Sequence, residues 1–154
     1  MKPVHTFTCA IALCGVSFGR PVAYWPYDKL TAEADLIVIA TPVAVRDTQE
    51  KATLPEFNQR GADGIWHPRP AISVETTFET LSVLKGDKDA KTILLHHLRL
   101  EVPILEDGPG LVSFDPKAKK RFLLFLKRER DARHSPVTGQ TDPDGSVKGL
   151  GTYP

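Results

Sequence analysis

Ile72-Ser73-Val74-Glu75-Thr76-Thr77-Phe78-Glu79-Thr80-Leu81-Ser82-Val83-Leu84-Lys85-Gly86 is the stretch that decides the fold. Ile72, Val74, Thr76 and Phe78 share one face of an extended chain. Ser73, Glu75, Thr77 and Glu79 share the other, which is the period of two of a half-buried strand. At Leu81 and Val83 the apolar residues move to odd positions. A slip of one residue turns a core face outward, so the spacing predicts a bulge near Glu79-Thr80 that keeps both halves buried. Small closed barrels turn their corners with long strands bent in this way. Gly86, just after Lys85, supplies the free φ that a turn needs. On this reading Glu75 and Glu79 form a solvated face. Strand rise sets them about 13 Å apart, too far for the paired carboxylates of a glycosidase.

Working outward, Leu36-Ile37-Val38-Ile39-Ala40 is apolar on both faces and reads as a buried strand. Pro42 then requires a bulge or an edge. Thr92–Leu98 and Arg121–Lys127 read as a third and a fourth strand, and a fifth is expected within Arg133–Thr138. Asp28 is placed as the N-cap of one short helix that runs to Ala34. Residues 47–70 hold Pro55, Gly61, Gly64, Pro68 and Pro70 with no sustained period, so they are expected to form a long loop. Asp142-Pro143-Asp144-Gly145 has the residues of a type I turn. It is a poor calcium loop, because the twelfth position is Tyr153 rather than glutamate. The fold class expected is mostly β: a small five-stranded barrel with one short N-terminal helix.

The chain has 154 residues, 41% of them apolar and 25% charged, with 13 prolines and a net charge of +1. That is one loop-rich globular domain, with no bulk charge to attract nucleic acid or anionic lipid. Residues 1–19 carry Lys2, the uncharged run Phe7–Phe18 and the small residues Ser17 and Gly19. This is the pattern of a secretory signal peptide, too short for a transmembrane helix. Residues 20–154 would then form the mature domain, exported to the periplasm or beyond. Cys9 and Cys14 are the only cysteines, so cleavage after Gly19 removes both. A mature chain of this kind has no disulfide, no thiolate metal site and no cysteine nucleophile.

Ala34-Asp35-Leu36-Ile37-Val38, Val83-Leu84-Lys85-Gly86 and Phe122-Leu123-Leu124-Phe125-Leu126, in that order, resemble a group of bacterial exported proteins. Their fold is similar to the metalloproteinase-inhibitor (TIMP) and netrin-type modules, an OB-type barrel of five strands. The resemblance covers about residues 34–128 and implies that fold. The animal inhibitors hold the protease zinc through an N-terminal cysteine, which the mature chain would lack, so their inhibitory mechanism is not implied.

Catalytic constellations are not legible. After Gly19 there is no Gly-x-Ser-x-Gly, and nowhere is there a His-Glu-x-x-His or a Gly-Lys-Ser/Thr phosphate loop. His96 and His97 are neighbours on a strand and point to opposite faces, so one is expected to pack and the other to be solvated. The leading expectation is a non-catalytic exported domain that binds another protein or envelope macromolecule, with no cofactor, no metal and no catalytic residue. Trp66, His67 and Arg69 are the candidate binding residues, since tryptophan and arginine concentrate at interface hot spots. The competing reading of Trp66 is an anchor that holds the loop on the barrel. Two alternatives stay open. One is an enzyme or metal-binding protein built from His67, His97 and His134. The other is a single-strand nucleic-acid binder that uses Lys117, Lys119, Lys120, Arg121, Lys127, Arg128, Arg130 and Arg133 with Phe114, Phe122 and Phe125 as stacking platforms.

Overall fold

The computed structural model describes residues 25–102, 111–139 and 145–152, with the backbone alone at 55–57. The elements in chain order are α1 (Tyr27–Glu33), β1 (Leu36–Arg60), β2 (Trp66–Lys85), β3 (Thr92–Leu100), a 3-10 turn at Pro116–Ala118, β4 (Lys120–Arg128), β5 (His134–Pro136) and β6 (Val147–Thr152). The protein is mostly β with one short helix, as its alternating residues predict. Residues 1–24, within which the signal peptide is expected, residues 103–110 and most of the Asp142–Gly145 turn lie outside the described residues.

The strands form one sheet that closes on itself. The order is β1-β2-β3-β5-β4, and β4 pairs back onto β1. The closing ladder is antiparallel and runs from Leu36 opposite Leu126 to Ala40 opposite Phe122. On the other side, β3 meets β5 in parallel at Leu95 and His134. β6 adds a second antiparallel partner along Lys120–Leu124 of β4. This sixth strand was not anticipated, because Val147-Lys148-Gly149-Leu150-Gly151-Thr152 has two glycines and little apolar alternation.

Closing the ring encloses one apolar interior. Val38, Phe78, Ile93, Leu95, Leu124 and Leu126 are fully covered within it. Phe114 sits edge-on to three rings: Phe78 at 4.9 Å, Phe122 at 5.0 Å and His97 at 5.2 Å between centroids. Such edge-to-face contacts each add about 0.5–1.5 kcal/mol beyond the area they bury. A smaller cluster of Leu30, Ala34, Ile37 and Phe125 seats α1 on the outside of the ring. Pro26, not Asp28, occupies the N-cap of α1, and it offers no side-chain cap. The Asp28 carboxylate instead accepts from the next N–H, that of Lys29. At the other end of α1, Lys85 Nζ donates to the carbonyl of Thr31 at 2.7 Å, a cation where the helix dipole favours one.

Two sequence expectations about bulges find their places. Val43 is the extra residue between Pro42, opposite Phe78, and Ala44, opposite Thr77. β1 has by then left β4, whose pairing ends at Ala40, so Pro42 costs no ladder bond there. On β2 the extra residue is Leu81, between Thr80 and Ser82. The parity does flip, and Val83 packs against the core, but Leu81 is the bulged residue and faces solvent rather than the interior.

The expected loop at 47–70 is overturned. β1 continues to Arg60 and β2 begins at Trp66, so the stretch is a β-hairpin with a short turn. The period is hidden because the ladder is irregular. The register shifts between Asp47 and Lys51 and again between Leu54 and Asn58, and each shift resets the alternation of side chains. β3 accompanies β2 only as far as Ala71, opposite Leu100. Beyond that point, among the described residues, β1 and β2 pair only with each other and form a two-stranded arm.

The three segments that carry the family resemblance converge in space. Leu36 pairs with Leu126, and the Asp35 carboxylate accepts from the Arg128 N–H at 2.9 Å. Gly86, at φ +98°, lies so close that a Cβ there would fall 2.7 Å from the carbonyl oxygen of Asp35. Gly86→Ala therefore combines a left-handed backbone with a backbone clash. It is expected to lower the free energy of unfolding by about 1–3 kcal/mol, read from the denaturant midpoint. Phe78→Ala, which empties the centre of the aromatic cluster, is expected to cost about 3–5 kcal/mol in the same measurement.

Candidate functional site

The arm ends in a tight, side-chain-braced turn. Gly61 N–H donates to the Ile65 carbonyl at 2.8 Å, and Gly64, at φ +78°, donates to the Gly61 carbonyl at 3.0 Å. The Asp63 carboxylate receives the Ile65 N–H at 2.9 Å with one oxygen and meets His67 Nε2 at 2.8 Å with the other. These contacts, the Ile65 N–H first and His67 second, hold the Asp63 carboxyl below the usual aspartate range. Arg60 Nε adds a bond to the Gly64 carbonyl. The turn thus presents Ile65 and Trp66 outward, 60% and 65% exposed. Trp66 is not an anchor that packs the arm onto the ring. Arg69 lies further down the arm, half-buried opposite Leu54. The three sequence-predicted binding residues therefore share one arm, with Trp66 and His67 at its tip.

A second polar site covers the outside of the ring, where β2 and β3 pair. Ser73 and Glu75 of β2 and His96 of β3 share this outer face, since Val74, Thr76, Leu95 and His97 take the inner one. Glu75 is not on a solvated face. It is 7% exposed and held between Arg46 and Arg133, with Arg46 Nε donating at 2.7 Å and Arg133 Nη1 at 3.3 Å. Arg133 also meets Asp131 at 2.7 Å, Glu50 at 3.4 Å and Glu129 at 3.6 Å. A carboxylate removed from water needs such partners, because losing one strands a buried charge. Beside this network His96 bridges two groups. Its Nε2 lies 2.7 Å from Ser73 Oγ, and its Nδ1 lies 3.0 and 3.1 Å from the two carboxylate oxygens of Glu129.

The paired histidines have opposite fates. His97 packs in the core with Nε2 at 2.8 Å from Thr76 Oγ1, while His96 is bonded and largely covered rather than freely solvated. Burial, and then the neighbouring charge of His96, push the His97 pKa down to about 4. The histidines of the scattered-site alternative do not meet, for His67 is at the arm tip and His97 is inside the ring. Among the described residues no group of three metal-ligating side chains converges. The phenylalanines Phe114, Phe122 and Phe125 are all buried, so none is a stacking platform for bases. Ser82 and Lys85 have a Ser-x-x-Lys spacing. They lie on a bulged strand rather than a helix, and Lys85 is occupied by α1. No helix among the described residues is long and apolar enough to cross a membrane. Comparison with protein-family models and with curated proteins found no match.

Residue parity alone puts Ser73 and His96 on one face of neighbouring strands. The signal missed was the pairing of those strands, together with Glu129, which is brought in by the turn after β4. His97 gives a pH prediction with a definite sign. The unfolded chain takes up this proton near pH 6.5 and the folded one only near pH 4. Between those values the unfolded state binds more protons, so stability falls as pH drops through the window. The loss reaches about 3 kcal/mol once the pH is below the folded value. Burial lowers the His134 pKa as well, which adds in the same direction. Denaturant unfolding of the wild type between pH 7 and pH 4 should show this slope. His97→Gln, which keeps a hydrogen-bonding amide and does not titrate, should flatten it.

Proposed function

We propose that the protein is an exported binding module of the OB type, related in fold to the TIMP and netrin-type domains. Its β1–β2 arm is the surface that engages a partner in the cell envelope. The ring order β1-β2-β3-β5-β4, with its parallel β3–β5 contact, supports the OB-type reading. In such barrels the connection between the first two strands is one of the places where ligands are gripped. The arm lengthens that connection.

One observation carries the binding reading: Ile65 and Trp66 stand exposed at the end of a turn braced by backbone and side-chain hydrogen bonds. Exposing a tryptophan on a braced tip wastes burial that the fold could use, and rigid aromatic anchors are what interfaces are built around. The apolar tip, flanked by Pro68 and Pro70, suits a protein surface. Its charges, from Arg60, Asp63 and Arg69, are of mixed sign and do not form the basic track that a nucleic-acid strand needs.

A photo-reactive amino acid at position 66 should give a discrete cross-linked species in living cells, and the same label at Lys88, outside the arm, should not. Trp66→Ala combined with Ile65→Ser should abolish partner recovery while leaving the unfolding midpoint within about 0.5 kcal/mol of wild type, as for other exposed positions. Equal cross-linking from both positions would dismiss the arm. Mass analysis of the protein's N-terminus is expected to find it at Arg20, and a native protein that still carries Lys2 would refute export.

A further inference from the structure

The Ser73, His96 and Glu129 arrangement has the atom order of an activated serine. Glu129 is a carboxylate and can only accept, so a His96 ring that carries a single proton holds it on Nδ1, facing Glu129. Nε2 is then the acceptor, and Ser73 Oγ–H donates to it over 2.7 Å. Nucleophile, base and orienting acid are thus chained through the correct nitrogens, within the distances that nucleophilic catalysis uses. Arg133 Nε lies 3.6 Å from the Glu129 carboxylate, a favourable charge without a hydrogen bond.

Across the ladder from Ser73 the sheet is bulged. Asp47 lies opposite Val74 and Lys51 opposite Ile72, so Thr48, Gln49 and Glu50 face the single residue Ser73. Bulges of this kind recur beside active sites, where they break pairing and re-aim side chains. This one is pinned at both ends. Arg99 Nε grips Asp47 at 2.9 Å, and Arg133 reaches Glu50 at 3.4 Å. A cleft of about 480 Å³ lined by Arg46, Asp47, Thr48, Gln49, Glu50 and Glu75 lies at the bulge, within the size range of small-molecule sites. Ser73 itself is 1% exposed and does not line the cleft, so access to it runs through the bulge residues Thr48, Gln49 and Glu50, which line the cleft and lie opposite it in the ladder.

We propose that Ser73 is a nucleophile for acyl transfer, with His96 as its general base and Glu129 as the positioning residue. The substrates it fits are small uncharged carboxylic esters, since each of the three carboxylates in the cleft lining is already paired with arginine. In the first step Ser73 Oγ bonds to the ester carbonyl carbon while its proton passes to His96 Nε2. The carbon–oxygen bond to the alcohol then breaks, and His96 returns the proton to the departing alkoxide. In the second step water, deprotonated by His96, attacks the acyl-serine. The acid leaves, and Ser73 regains its proton. No oxidant, metal or cofactor enters the balance.

The test uses the full-length protein and diisopropyl fluorophosphate, in which Ser73 Oγ would bond to phosphorus as fluoride leaves. Peptide mapping by mass spectrometry should place the adduct on Ser73 in the folded protein and not in protein unfolded by denaturant. His96→Gln, which can still bond Ser73, should slow labelling roughly a hundredfold, the scale of a lost general base. Glu129→Gln should slow it less, and Ser73→Ala should remove it. p-Nitrophenyl acetate hydrolysis should fall in the same order, with circular dichroism showing the variants folded. Folded wild-type protein that leaves Ser73 unlabelled, or labelling of Ser73 that is indifferent to His96→Gln in a folded variant, would overturn the proposal.

Discussion

The ladder between Leu36–Ala40 and Phe122–Leu126 is the constraint on which the rest of the molecule depends. It joins the first strand to the fourth and turns an open sheet into a ring. Without it Phe78, Leu95 and Leu124 would lie on one exposed face, and Phe114 would have no enclosed space in which to meet three aromatic neighbours edge-on. A domain with no cysteine after position 14 has only such burial to stabilise it. The Asp35, Gly86 and Arg128 contacts at the start of this ladder show how little slack it has, for the backbone of one segment occupies the space that a side chain on another would need.

What happens where that ladder stops is equally consequential. β1 parts from β4 after Ala40, passes Pro42 and Val43, and runs on with β2 alone. The same two strands therefore serve the ring at one end and the arm at the other. The boundary between these duties is marked by irregular register, not by a loop. One of these irregularities, between Asp47 and Lys51, sets three residues of β1 against Ser73. Tip and outer-face site are thus both products of how β1 departs from regular pairing, although they lie in different parts of the molecule and call for different chemistry.

The parts of this architecture legible in the sequence are those where side-chain alternation is regular. Ile72–Phe78, Thr92–Leu98 and Arg121–Lys127 announce their strands because one face of each is buried along nearly its whole length. The Leu81 bulge shows as a change of parity, although the side chain it expels could not be told from one it buries. Residues 47–60 were illegible for the complementary reason: successive register shifts leave no run long enough to show a period of two. Glu75 looked solvated because its partners, Arg46 and Arg133, are 29 and 58 residues away and arrive only when the ring is built. Trp66 was legible as a residue type but not as exposed, because exposure depends on the hairpin that the prolines and glycines concealed. Ser73, His96 and Glu129 carry no local motif. Their relation exists only through strand pairing and one turn.

The ring closure also fixes an order of events along the chain. The residues that complete it are more than eighty positions downstream of those they pair with. Hairpins between neighbouring strands can form early and locally, but the interior cannot shut until β4 is present, and non-local pairing of this kind slows folding. Until then Phe78 and its surroundings remain open to water and to other chains. A nascent molecule that ends between Leu100 and Phe122 would hold β1, β2 and β3 with nothing to seal them, and such fragments should be recognised by chaperones and proteases long before they resemble the finished domain.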